Sequence, residues 1–450
     1  MRIRFDRGTL VCEPELPGED PAGLPHATWD DDVHAWRVPA DAHRPLIRAL
    51  RERGMRVTDE VRTHELAPHF TVPVLRWYQE AALDAWRAAG HLGIVALPTG
   101  SGKTIVAIAA MAQLGVATLV LVPTRVLLDQ WSRALGACWP HPVGRLGDGD
   151  HRIADITVAT YASATTWAAR IGDRFGLVVV DEAHHVGAWC PVDVLEMLVA
   201  PAWLGLTATP PEVPSRLGPV VYTLDVDDLA GDGLAHYTLV PVPIRLERHE
   251  RARYRELRGR FGTVYASFMR SSSTGTWTDF VREAKRSKVG REALDAWRGS
   301  RAVIAYPAGK RAALRDLLAR HRTERALVFT GDNATAYAIA RELLVMPITH
   351  EIGRAEREGA IARFRADEGS VLVSSHVLDE GFDVPDADIA IVVGGTSSKR
   401  QHVQRIGRVL RPRPGKRALV YELSVDATVE VDYVKRRRAG FDATLVGGAP

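Results

Sequence analysis

Short runs rich in Val, Ile and Leu alternate with longer amphipathic stretches from Val74 to about Val240. The runs Gly93–Leu97, Thr118–Val122, Asp155–Thr160, Leu177–Val180 and Trp203–Leu206 read as strands. Strands separated by helix-length segments predict a parallel sheet with crossover helices. The pattern resumes from Lys310 to Leu423, with strands at Arg325–Phe329, Ser370–Val373 and Ile389–Val393. Ahead of both blocks, Arg2–Phe5, Thr9–Cys12 and Trp36–Pro39 read as strands and Asp41–Arg53 as a helix. Gly54 stops that helix, and Met55–Val57 reads as a further strand. The fold class expected is α/β: two parallel-sheet domains, a small N-terminal α/β module and a basic helical insertion between the sheets. The segments are 1–65, 66–240, 241–305 and 306–450.

Composition narrows the class. Of 450 residues, 46% are hydrophobic and 25% charged, which excludes a disordered or collagen-like chain. Cys12, Cys138 and Cys190 lie far apart without C-x-x-C spacing, so a disulfide framework and a structural zinc site are not expected. The start lacks the apolar core of a signal peptide. The apolar run Ile105–Val122 is long enough for a membrane span, but it contains Gln113 and Gly115 and divides into a helix and a strand. The expectation is a cytoplasmic, monomeric protein with no membrane partner.

The net charge of +3 decides little, but its distribution is uneven. Residues 13–32 hold seven acids and no Lys or Arg; residues 251–300 hold twelve Lys or Arg against five acids. An anionic partner is therefore sought at the middle of the chain. There Arg251, Arg253, Arg255, Arg258 and Arg260 precede Phe261, Tyr265 and Phe268, and Arg282, Lys285, Arg286 and Lys288 follow. Basic side chains grip phosphates without regard to sequence. The aromatic spacing is that of a helix core stripe, so the aromatics read as core and the cations as nucleic-acid contacts.

Two motifs carry nucleotide chemistry. Pro98-Thr99-Gly100-Ser101-Gly102-Lys103-Thr104 follows a strand and opens a helix. Glycines let backbone N–H groups converge on phosphates at a helix N-terminus. Lys103 is assigned to the β- and γ-phosphates of ATP, and the Thr104 hydroxyl to Mg²⁺. Leu97 stands where this loop usually carries its first glycine. Leu177–Val180 then delivers Asp181-Glu182-Ala183-His184-His185 at a strand end, where ligands sit in open α/β sheets. Asp181 is assigned to Mg²⁺ and Glu182 to the attacking water; the adjacent histidines are not read as a metal site. Thr207-Ala208-Thr209 is weak alone. In Gln404–Arg411, Arg408 and Arg411 share a helix face and are candidate arginine fingers.

With Arg76-Trp77-Tyr78-Gln79 and Asp379–Pro385, these motifs occur in the order and spacing of superfamily 2 helicases. The chain resembles the XPB helicases, particularly the compact archaeal form, and the run Val373–Pro385 is very like that family's motif V. The resemblance implies two RecA-like domains, a damage-recognition module over 1–65 and a thumb over 245–300. It implies adenine recognition by Arg76 and Gln79, coupling by Thr207 and Thr209, links through Gly381 and Asp383, and water positioning by Gln404. Thr124, Arg125, Thr160, Ser374 and Ser375 fall where that family contacts the nucleic-acid backbone; for the Ser and Thr residues, local capping is the rival reading. The implied activity is ATP-dependent DNA helicase or translocase, of 3′ to 5′ polarity, in repair or transcription, with DNA and a nuclease or repair protein as partners. A duplex translocase that does not unwind, and an RNA helicase, stay open as alternatives. One departure stands out: Pro210-Pro211-Glu212-Val213-Pro214-Ser215-Arg216 lacks the Arg-Glu-Asp triplet that XPB proteins carry after motif III. The acidic N-terminal module is expected to be separable from basal ATPase.

Overall fold

A computed structural model describes residues 1–15, 23, 26–61, 70–210, 216–225, 227–229, 236–272, 275–349, 351–366, 370–375, 387–394 and 417–438. The chain divides into two compact units, Met1–Leu229 with Gly381–Asp383, and Ala230–Glu380 with Val384–Pro450.

The first unit is built on an eight-stranded sheet in the order Val220–Thr223, Leu92–Ala96, Ala202–Thr207, Leu177–Asp181, Thr118–Val122, Ile156–Thr160, Gly144–Gly147, Asp150–Arg152. All neighbours are parallel except the last pair. Helices on both faces explain why Val178, Val179 and Val180 are fully buried. Each such valine stabilises the fold by roughly 1.5–3 kcal/mol relative to exposure. The sequence places one strand at Gly93–Leu97, whereas the structure places it at Leu92–Ala96. Leu97 still donates its N–H to Thr207 O, so pairing fades rather than stops there.

A five-stranded sheet forms the N-terminal module, packed beneath the helix His43–Glu52. Its last strand is Thr58–Asp59 rather than Met55–Val57, because Thr58 pairs with Arg2 in parallel. Its core is shared: Val199, from the large sheet's surroundings, is buried with Met1, Ile3, Leu10 and Leu50. Arg216 adds ion pairs to Asp41 of the module at 2.8 Å and to Glu196 of the motor.

In the second unit, six parallel strands run in the order His236–Ile244, Arg417–Val425, Ile389–Val392, Ala326–Phe329, Val371–Ser374, Pro347–Ile348. The basic segment forms three helices, Arg248–Ser271, Trp277–Ala284 and Lys288–Ala305. Phe261, Phe268 and Phe280 are buried together with Leu257 and Leu294, and Tyr265 packs against them. This is the core stripe that the aromatic spacing predicts. No described helix is long and apolar enough to cross a membrane.

Candidate nucleotide site

The phosphate loop turns between the strand Leu92–Ala96 and the helix Lys103–Leu114. Gly100 and Gly102 take φ of +88° and +83°, the left-handed region that L side chains rarely enter. A Cβ at Gly102 would also stand 2.5 Å from Gln79 Nε2. The loop is held from behind by the segment that begins the helix Trp77–Ala88. Gln79 Nε2 and the Tyr78 hydroxyl both donate to Ser101 O at 2.8 Å. Gln79 Oε1 accepts from Arg76 N at 2.9 Å, and Ser101 Oγ donates to Pro98 O at 2.7 Å. Both ends of the Gln79 carboxamide are thus engaged in shaping the loop, while Arg76 Nη1 reaches the Tyr78 hydroxyl at 3.3 Å. Pro98 and Thr99 form the turn between strand and loop.

Lys103 Nζ donates to the carbonyls of Leu97 at 3.1 Å and Pro98 at 3.3 Å. The ammonium therefore lies within the loop's own curve. Thr104 follows it in the first turn of the helix.

Asp181 ends the buried strand Leu177–Asp181. Trp131, from the helix Arg125–Cys138, donates its indole N–H to Asp181 Oδ2 at 2.7 Å. Glu182 N donates to Asp181 Oδ1 at 3.0 Å. Burial pushes the Asp181 carboxyl above its ordinary range, opposed by the Trp131 hydrogen bond and by the positive charge of Lys103. Tyr161 donates its hydroxyl to Asp181 O, and burial next to this carboxylate pushes that phenol well up. Glu182 itself sits at φ +51°, a left-handed turn that separates its side chain from the strand direction.

A histidine stands between the second carboxylate and the neighbouring strand end. His184 Nδ1 lies 3.5 Å from Glu182 Oε2 and 2.9 Å from Thr207 Oγ1. Thr207 Oγ1 donates its only proton to Thr209 O at 2.8 Å and accepts from Thr209 N at 3.1 Å. The proton shared between His184 and Thr207 must then come from Nδ1, which fixes the imidazole tautomer. His185 instead stacks on Trp189, ring centroids 3.7 Å apart, in a structural role. Among the described residues no group of three or more His, Cys, Asp or Glu could hold a metal ion. A hydroxyl and one buried carboxylate, Thr104 and Asp181, do suit Mg²⁺ in a phosphate site, where the ion takes few protein ligands and keeps waters.

The remaining candidates differ in setting. Thr124 and Thr160 each cap a helix, accepting from Leu127 N at 3.3 Å and Ser163 N at 3.2 Å. Arg125 is exposed, 3.2 Å from Asp148. Ser374 and Ser375 are fully buried, their hydroxyls donated to Ile348 O and Asn333 Oδ1 at 3.1 and 2.6 Å. Arg282, Lys285, Arg286 and Lys288 are all exposed around the turn between the second and third helices of the basic segment. Arg282 pairs with Asp279 at 3.2 Å on the surface. Gly381, Asp383, Gln404, Arg408 and Arg411, and most of the loop after motif III, lie outside the described residues. Trp131 and Tyr161 are contributors that the motifs do not mark, each reading in sequence as an ordinary apolar helix position; Tyr78 lies inside the Arg76–Gln79 motif, which gives it no role of its own.

Comparison with known proteins supplies the lineage. Residues 3–61 match the xeroderma pigmentosum group B helicase damage recognition domain. Residues 73–212 match the type III restriction enzyme res subunit, and residues 309–413 the helicase conserved C-terminal domain. Over 447 residues the chain is 34% identical to the DNA 3′-5′ translocase XPB2 of Sulfurisphaera tokodaii, covering 97% of this chain and 99% of that protein. It is 32% identical to the putative DNA 3′-5′ helicase Rad25 of Halobacterium salinarum over 90% of this chain, and spans 63% of that longer relative. Identity to the DNA 3′-5′ helicase XPB of Mycobacterium tuberculosis is 27%, over 97% of this chain and 72% of that one. The crystal structure of the Pyrococcus furiosus Hef helicase domain superposes with a TM-score of 0.53 at 19% identity, over 81% of this chain and 98% of that one, which shows a shared helicase fold. With all three domain families in order and one relative matched end to end, the chain belongs to the XPB family of superfamily 2 helicases.

Proposed function

We propose that this chain is an ATP-driven DNA motor of 3′ to 5′ polarity whose first unit carries the phosphate-gripping half of the ATPase. The observation that carries the reading is the buried Asp181 carboxylate, held by the Trp131 indole at 2.7 Å and close enough to Lys103 of the phosphate loop to feel its charge. Lys103 is the group placed to grip phosphate, and it would exchange its carbonyl partners for phosphate oxygens. Glu182 orients and deprotonates the attacking water. Thr104 and Asp181 would hold Mg²⁺, which would supply charge neutralisation at the phosphate oxygens. Arg408 and Arg411 complete the hydrolytic set, and Gln404 positions water; their support is the motif spacing. The His184–Thr207–Thr209 hydrogen bonds hold the imidazole 3.5 Å from the Glu182 carboxylate, so a shift of that carboxylate would be met by a side chain fixed to the neighbouring strand end. The N-terminal module, docked through Val199 and Arg216, tunes which DNA is engaged. The protein works as a cytoplasmic monomer that meets a nuclease or repair protein on DNA; its mass in solution and pull-down from extract test those two points.

A second reading, translocation on duplex without strand separation, is favoured by the missing Arg-Glu-Asp triplet in Pro210–Arg216. Unwinding works against stacking of about 1.4 kcal/mol per base-pair step, and the one cation of this loop, Arg216, is already paired with Asp41 and Glu196. A tailed-duplex unwinding assay run beside triplex displacement decides. Displacement with little unwinding assigns a translocase; efficient unwinding of long blunt duplex by the protein alone assigns a helicase and makes the triplet dispensable here. Failure in both assays would refute a DNA motor.

A further inference from the structure

The second unit contains a cavity of about 460 Å³ whose described lining includes none of the residues assigned above to ATP hydrolysis. That volume falls within the range of small-ligand pockets. One wall is the end of the helix Lys288–Ala305, which supplies Trp297, Arg298 and Arg301. Tyr433, from the helix Val429–Arg438, stands beside it. Small residues, Gly331, Ala334, Ala338 and Gly394, also line the cavity, with Asp332 and Thr335 among them.

The chemistry of the first wall is unusual for a surface. The Arg301 guanidinium lies 5.9 Å from the Trp297 ring centre and 5.1 Å from that of Tyr433. It donates to the Tyr433 hydroxyl at 2.5 Å and makes no ion pair among the described residues. Trp297 in turn packs on Trp277, 4.9 Å between ring centres, and Trp277 is 40% exposed. Rings and a guanidinium thus alternate from the surface into the cavity. Arg311 lies over Tyr306 at 5.1 Å on the same lining and 3.5 Å from Glu342, and Arg298 pairs with Asp295 at 2.7 Å on the surface, ion pairs that a phosphate would compete with. The carboxylates on the lining are already engaged. Asp332 accepts from Thr335 N and Thr335 Oγ1 at 2.7 and 2.9 Å, and Glu430 pairs with buried Lys310 at 2.7 Å. What remains is a slot with π faces and the Arg301 guanidinium on its lining, together with small residues, Gly331, Ala334, Ala338 and Gly394.

We propose that this slot captures one unstacked nucleotide, its base lying against the Trp297–Arg301 face near Ala334 and Ala338 and its phosphate drawn to Arg298 and Arg311. Planar bases stack on aromatic and guanidinium faces irrespective of sequence, and arginine adds a charged fork for phosphate. The occupant is an unpaired nucleotide of a DNA tail or a free nucleoside phosphate. The proposal rests on the DNA-motor reading and names where that motor holds a displaced base.

The test uses the full chain and a tailed duplex carrying 2-aminopurine at one tail position at a time, with a dye on the duplex end. Anisotropy of the dye reports DNA binding, and 2-aminopurine emission reports stacking. Wild type should quench one tail position several-fold. Ala334→Trp, which plugs the slot from an exposed helix position, and Arg301→Gln, which keeps size but removes charge, should both restore emission while the DNA stays bound. Matching thermal midpoints confirm that both variants fold. Adding free dAMP and recovering emission without loss of anisotropy would assign the slot to nucleotides from either source; no recovery would assign it to the tail alone. Emission unchanged by Ala334→Trp with DNA bound overturns this inference and leaves the motor reading standing. Absence of any DNA binding by wild type overturns both.

Discussion

Lys103 and Lys288 each begin a helix, yet they stand in opposite surroundings. Lys103 is partly buried, fixed on two carbonyls and close enough to Asp181 to pull its carboxyl down. Lys288 is exposed, with Arg282, Lys285 and Arg286 around it on one turn. A cation at a helix N-terminus is unfavourable on its own, because the helix dipole is positive there. At Lys103 two loop carbonyls and the nearby Asp181 offset that cost within a fixed lattice. At Lys288 solvent screens it, and the charge adds to a diffuse field. The first kind of cation is irreplaceable; members of the second kind are interchangeable.

Substitution at the phosphate loop should have the largest effect. Lys103→Ala should abolish ATP turnover and weaken ATP binding, whereas Glu182→Gln should bind ATP and lose turnover, read by nucleotide binding beside steady-state hydrolysis. Wild-type rates in Glu182→Gln would remove its role in activating water. Trp131→Phe comes next. It keeps the ring and deletes the hydrogen bond to Asp181, and groups that orient a metal-binding carboxylate typically matter by about 10–100-fold. Because that hydrogen bond lowers the Asp181 carboxyl, its loss raises it, and the acid limb of the ATPase pH profile should move to higher pH. An unmoved limb would make Trp131 a packing residue only.

Neutralising Arg282, Lys285, Arg286 and Lys288 together should weaken DNA binding alike for all sequences. Its salt dependence should also flatten, by about 0.9 in log–log slope for each phosphate that these side chains no longer neutralise. A slope that does not change would return this turn to ordinary solvated surface. Arg216→Gln should have the smallest effect. It removes half-exposed ion pairs to Asp41 and Glu196, each worth about 0.2–1 kcal/mol, so a slight fall in thermal midpoint is expected with ATPase retained.

The same contrast explains what the sequence discloses. Gly100 and Gly102 are legible because only glycine enters their φ range easily, and Asp181-Glu182 because four apolar residues deliver them to a strand end. The aromatic stripe of the long basic helix is legible because 3.6-residue periodicity is local. Trp131 and Tyr161 are not, because they act through where tertiary packing places them, and an apolar helix position looks the same whether its ring fills space or holds a carboxylate. The shared core at Val199 is hidden for a like reason: nothing in a single valine says which module buries it. It also alters the expectation of a separable N-terminal module, since removing residues 1–61 would expose Val199 and leave Arg216 with Glu196 as its partner.

The central claim is that ATP hydrolysis at Lys103, Asp181 and Glu182 is harnessed to movement on DNA. It is tested most directly by steady-state ATPase of the full chain without nucleic acid and with single-stranded DNA, duplex DNA, forked DNA and RNA, Lys103→Ala serving as the blank. DNA should stimulate hydrolysis well above both the basal rate and the rate with RNA, and Lys103→Ala should show no hydrolysis under any condition. Hydrolysis that is indifferent to every DNA, or stimulated by RNA alone, would contradict the account.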